Sequence, residues 1–202
     1  MNRIFRISCL SSAFAVLALP VVAQNSTPAP ATGQTIQQRK ENQRNRIGQG
    51  VQSGQLTAGE AARLEGKEAA LNREERNMRK LDNGKLTASD KKALTQQQNQ
   101  LSKQIYREKH DSATQNTNPK SEVGKRAENQ QDRIAQGIKS GQLTAGEAAH
   151  LENREAKINR EVRNDRAANG GRLTAQERAQ VNRQQNRTSR QIYRDKHNVR
   201  HQ

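Results

Sequence analysis

Arg183, Arg187, Arg190 and Arg194 follow one another at intervals of four, three and four residues. On a helix turning 100° per residue they share about 60° of arc. Val181, Ile192 and Val199 fall on the opposite face, so the segment reads as an amphipathic helix carrying an arginine ridge. Gln184, Asn186 and Gln191 flank that ridge. Guanidinium groups are planar and permanently charged, and a row of them suits phosphate or carboxylate partners. The plainer reading of the same residues is a solvated face. Base stacking contributes little, because only Tyr106 and Tyr193 offer rings outside the N-terminal segment. Nucleic-acid contact is therefore expected through the phosphate backbone and to be salt-sensitive. Both tyrosines are expected to pack as core residues over a helix end.

Other chemistry is sparse. His197 and His201 lie four apart, and a helix continuing to the C-terminus would put both imidazoles on one face, where they could share a metal. No third ligand stands near them, so no metal and no cofactor is expected. The Gly-x-Leu-Thr-x-x-acid segments imitate the second half of a calcium loop. The positions before the glycine that must carry oxygen donors are Arg79, Leu81 and Asn83 in one copy, and Arg166, Ala168 and Gly170 in the other, which does not make a calcium loop. Carboxylates alternate with Arg and Lys, and Glu75 with Arg79 reads as i, i+4 surface support. With no nucleophile elbow, zinc-protease pair or phosphate-cradling glycine loop, the chain is expected not to be an enzyme.

The elements that position these residues follow an N-terminal segment of another kind. Arg3 and Arg6 precede an apolar run from Cys9 to Val22, then Ala23. This describes a secretory signal peptide over residues 1–23, and it leaves no membrane-spanning stretch after cleavage. Cys9 and both phenylalanines leave with it. Without Arg3 and Arg6, the 36 basic residues become 34 against 20 acidic ones, a formal +14. Such a charge favours anionic polymers, including nucleic acid and lipopolysaccharide. Leu, Ile, Val and Phe make up only about 12% of the remainder, where a thin core and partial disorder are both expected.

Beyond a Pro-rich linker at 24–36, the chain aligns with itself at an offset of 87 residues without a gap. Repeat 1 spans 37–113, a linker 114–123, and repeat 2 124–202. About 40 of the 70 aligned positions are identical, which marks a duplicated structural unit. "SGQLTAGEAA" stands at 53–62 and again at 140–149, and shorter echoes stand at 84–90 and 171–177. Thr57 with Glu60, Thr87 with Asp90, Thr144 with Glu147, and Thr174 with Glu177 have capping-box spacing. Gly54, Gly84, Gly141 and Gly171 suit the left-handed residue that closes the preceding helix. Helices are thus predicted over about 37–52, 58–81, 88–110, 124–139, 145–168 and 175–198. The fold class is all-α: a tandem duplication of a three-helix unit containing an αα-hairpin, extended or coiled-coil-like, with disordered linkers. Leu64, Leu71 and Met78 make a narrow stripe, so the helices are expected to pair across repeats or across subunits, or to remain partly mobile. Gly59 and Gly146, inside first helical turns, mark either a close helix–helix approach or an inheritance of the duplication. In repeat 1 the ridge positions hold Gln96, Gln100, Lys103 and Arg107, so anion binding should concentrate in repeat 2.

Leu56-Thr57, Leu86-Thr87, Leu143-Thr144 and Leu173-Thr174, each with an acid three residues after the threonine, resemble the Leu-Thr-x-x-Gln helix starts of the Spy/CpxP-like envelope-stress chaperones. The acid replaces that family's Gln. The resemblance implies a helical, often dimeric cradle for unfolded clients. The "GQLTAGEA" segments are also similar to those of uncharacterised proteobacterial secreted proteins, which implies no activity. The expectation is an exported, periplasmic or secreted, non-enzymatic helical repeat protein with a binding or chaperone-like role in the envelope. A polyanion binder acting through the arginine ridge, and a structural self-associating protein, are the alternatives. Expected partners are anionic polymers, envelope proteins or further copies of the chain.

Overall fold

The computed structural model describes residues 33–115 and 120–200. The signal-peptide reading, most of the first linker, part of the second and His201 lie outside the described residues. Six helices and no strand are described: α1 Ile36–Gln52, α2 Ala58–Leu81, α3 Ala88–Lys109, α4 Glu122–Ser140, α5 Ala145–Ala168 and α6 Ala175–Lys196. The protein is all-α, and α1–α3 and α4–α6 are the two copies. No described helix is long and apolar enough to cross a membrane.

Local chemistry explains the boundaries. Thr57 Oγ1 accepts from the Glu60 amide at 3.3 Å, while the Thr57 amide donates to Glu60 Oε2 at 2.9 Å. Thr87 with Asp90, Thr144 with Glu147 and Thr174 with Glu177 form the same box. Two starts were not anticipated. Thr35 with Gln38 boxes α1, and Ser121 Oγ accepts from the Gly124 amide to start α4. Both lie inside segments read as linkers, so α1 and α4 begin earlier than expected. The joint glycines have φ values of +71° at Gly54 and +73° at Gly141, where a side chain would be strained. After each, the leucine turns inward. The Leu56 amide donates to Gly50 O and the Leu143 amide to Gly137 O, both at 3.0 Å.

Each repeat is a three-helix bundle, and the two bundles join through equivalent helices. The most extensive packing is α2 on α5, its own copy, followed by α1 on α4. The outer helices α3 and α6 touch only helices of their own repeat. Pairing across repeats is therefore the arrangement adopted. One apolar cluster runs through both halves, from Ile47, Leu56, Leu64 and Ile105 to Ile134, Leu143, Leu151 and Ile192. Each such side chain is worth about 1.5–3 kcal/mol on burial. The narrow leucine stripes widen into this core because Ala58, Ala61, Ala62, Ala145, Ala148 and Ala149 are also buried.

Close approach occurs elsewhere than at Gly59 and Gly146. A Cβ at Gly59 would meet only the Arg63 guanidinium at 3.8 Å, and one at Gly146 would meet nothing within 4 Å. A Cβ on Gly50 would stand 2.6 Å from Leu56 Cδ1, and one on Gly137 2.6 Å from Leu143 Cγ. On α1, a Cβ on Gly48 would stand 3.2 Å from Ala135 O of α4. The tight glycines are those of the first helix in each repeat, where the inward leucine or the copied helix arrives.

Candidate functional site

Polar side chains stitch the outer helix to the first in both repeats. Gln43 Nε2 donates to Gln98 O at 2.6 Å and to Ser102 Oγ at 2.8 Å. Gln98 Nε2 donates to Ile36 O at 3.0 Å. The copy repeats it: Gln130 to Gln185 O at 2.7 Å, and Gln185 to Val123 O at 2.9 Å. Arg46 and Arg133 donate to the carbonyls of Ser102 and Ser189. These bonds hold α6 in a fixed rotation, with Val181, Gln185, Thr188 and Ile192 inward.

That rotation turns the ridge outward. Arg183, Arg187, Arg190 and Arg194 are all exposed. None makes an ion pair among the described residues, and Arg194 donates only to the neutral Gln191 side chain. The four ion pairs of the described residues all lie in repeat 1: Lys40–Glu75, Arg63–Glu60, Arg63–Glu108 and Arg79–Glu75. The opposite face is as expected at Val181 and Ile192, both buried. It is not at Val199, which lies beyond the end of α6 and is 97% exposed.

The tyrosines are not core. Tyr193 is 60% exposed and Tyr106 half-buried. Each stacks on the histidine that caps its helix, Tyr193 on His197 and Tyr106 on His110, with ring centroids 4.2 Å apart. His197 Nδ1 donates to Tyr193 O at 2.7 Å. Because α6 stops at Lys196, no continuing helix carries His197 on toward residue 201. Among the described residues, no three His, Cys, Asp or Glu side chains gather as a metal site.

A second feature was missed from sequence. Glu65 and Glu68 of α2, and Glu152 and Glu155 of α5, are buried at 0–1% exposure. Both carboxyl oxygens of Glu68 and of Glu155 lack a hydrogen-bond partner among the described residues. Burial pushes Glu155 up to about 8. Burial does the same to Glu152, against a hydrogen bond from Gln131 and with repulsion from Glu155. Glu68 rises only to about 7, since Lys40 and Arg44 offset part of the burial. Burial, with Glu68 and Glu152 nearby, drives Glu65 well above the ordinary range. Burial in the low-dielectric interior thus favours the protonated form of all four carboxyls. The available signal was position. Glu68 stands four residues beyond Leu64, and Glu155 four beyond Leu151, each adjoining the apolar stripe. Glu75 is likewise no surface residue. It is 8% exposed, and although burial raises it, Arg79 and Lys40 outweigh that and hold it below the usual range.

Comparison with family models, with curated proteins and with solved structures finds no match for this chain.

Proposed function

We propose that this protein is an exported, non-enzymatic binder of phosphate-bearing polymers, which it engages through the outward face of α6. The observation that carries this reading is the exposure of Arg183, Arg187, Arg190 and Arg194 without an acidic partner among the described residues. Surface guanidinium groups already paired with carboxylates would have to give up those bonds first. Here the groups are held on a rigid helix, ready for an anionic backbone. The Arg3 and Arg6 n-region with its apolar run supports export to the periplasm or beyond. Client holding of the chaperone kind has less to recommend it. Among the described residues the large apolar side chains classed as exposed are Leu81 at the end of α2, and Tyr193 and Val199 near the end of α6, and three such residues make no broad apolar surface.

The test compares two charge-matched variants of the purified protein. One changes Arg183, Arg187, Arg190 and Arg194 to Gln. The other changes Lys91, Lys92, Lys103 and Arg107 of α3 to Gln. Binding to duplex DNA and to lipopolysaccharide is measured across a salt series. The ridge variant is expected to lose tenfold or more in affinity and to show a shallower salt dependence, with each lost phosphate contact removing about 0.9 from the slope. Equal losses in both variants would reduce the effect to bulk charge and overturn the reading. Suppression of client aggregation by the ridge variant, together with unchanged polymer binding, would favour the chaperone role instead.

A further inference from the structure

We propose that the open end of repeat 2 is a separate pocket for a phosphate-type oxyanion, held by Arg166, Arg172 and Arg178. A cleft of about 380 Å³ opens there between the start of α4, the end of α5 and the α5–α6 loop. Its size falls in the roughly 300–1,000 Å³ range of small-ligand sites. Three arginines line it against one acidic residue, Glu122, and Val123 and Leu173 are its apolar lining residues. Three forked donors offer more hydrogen bonds than a carboxylate can accept, and they match the several oxygens and higher charge of a phosphate group.

The comparison of the copies shows why Arg166 is available. Its counterpart Arg79 donates to Glu75 Oε1 through Nε at 3.1 Å and through Nη2 at 2.8 Å. In repeat 2 the position of Glu75 is Val162, which is buried in an apolar cluster with Val123, Ile158 and Val181. Arg166 then makes no ion pair among the described residues, and its Nη2 donates to Ser121 Oγ at 3.1 Å, at the N-cap of α4. The positive end of that nineteen-residue helix adds to the same field. Arg172 is exposed on the loop, and Arg178 makes only a 3.5 Å contact with Leu173 O. The pocket is independent of the ridge. Arg178 and Arg194 lie sixteen residues apart, about 24 Å along α6, and Arg178 points away from the arc the ridge occupies.

The test is titration of the purified protein with inorganic pyrophosphate by calorimetry, alongside vesicles of phosphatidylcholine with and without phosphatidic acid. Saturable pyrophosphate binding is expected, weakened tenfold or more by Arg166→Gln and by Arg172→Gln and strengthened several-fold by Glu122→Gln. Arg172 is an exposed loop residue, so its replacement keeps the test informative even if Arg166→Gln lowers stability. Binding confined to phosphatidic acid vesicles, and lost in Arg172→Gln, would support the pocket and identify the group as a lipid headgroup. The four-arginine ridge variant is expected to keep its pyrophosphate affinity within twofold. No saturable binding to either probe, unchanged affinity in Arg172→Gln, or loss in the ridge variant would each overturn the proposal.

Discussion

The far ends of the two repeats solve one packing problem in two ways. In repeat 1, Lys40 of α1 lies 3.1 Å from Glu75 of α2, which also pairs with Arg79 at 2.8 Å. In repeat 2 the same three positions are Ala127, Val162 and Arg166. Glu75 and Val162 are equally buried, at 8% exposure. A buried ion pair and an apolar filling are close to interchangeable in stability, because desolvation consumes most of the Coulombic gain. The helix order and packing partners are therefore the same in the two repeats and the surface is not. The apolar solution removes an acid and releases its arginine. Replacement of Gln96 and Gln100 by Arg183 and Arg187 adds two more cations on the outer helix. Repeat 1 neutralises part of its charge internally, whereas repeat 2 presents its charge to solvent.

The largest effects should be blind to this difference. Ile47→Ala and Ile134→Ala remove equivalent, fully buried side chains from one continuous core. Each should cost about 2–5 kcal/mol, with a single unfolding transition in urea. Two transitions would mean that the repeats unfold separately and would break the picture of a core shared across the copies. The next effect should expose the difference. Val162→Glu puts a carboxylate where repeat 2 has Ala127 in place of Lys40, and it should destabilise by about 1–3 kcal/mol. Adding Ala127→Lys should recover part of that loss. Failure to recover would show that something other than the missing lysine sets the apolar solution.

Acidity sharpens the comparison further. The raised glutamates keep their protons in the folded state, whereas the unfolded chain releases them above its ordinary value of 4.5. Stability from these groups is therefore greatest in acid and falls as pH rises. The fall levels off near 7 for Glu68 and near 8 for Glu152 and Glu155. Glu75, held low by Arg79 and Lys40, works in the opposite sense, losing its contribution as pH drops. The melting temperature should decline between pH 5 and 8. Glu155→Gln should remove more of that decline than Glu68→Gln, because Lys40 and Arg44 attract the Glu68 carboxylate and nothing equivalent faces Glu155. A melting temperature flat over this range would refute the account of protonated interior carboxyls. The smallest effects should again be equal. Thr57→Ala and Thr144→Ala remove matching caps, at about 1 kcal/mol each in thermal denaturation.

Helix number, type and most boundaries were legible in the sequence because their causes are local. Thr57 reaches Glu60 within one turn, and Gly141 takes its left-handed φ whatever lies beyond the joint. The duplication was legible as identity at a fixed offset, and the outward ridge as an angular pattern on one helix. The interior was not. Glu68 and Glu155 carry letters that normally mean solvent, and they are buried only because α2 meets α5 and α1 meets α4. Tyr193 has the letter of a core residue, yet α6 turns it outward onto His197. Val199 belongs to the apolar wheel only while the helix lasts, and α6 ends before it. Gly59 and Gly146 sit in the first turn of their helices with no other helix against them, whereas Gly48 meets α4 only because the two copies cross there. What the sequence determined by itself were the helices, their caps and the duplication, since those interactions span three to six residues. Which faces became interior and which carboxyls lost their water were decided by tertiary structure, because those outcomes depend on residues that approach from another helix, often from the other copy.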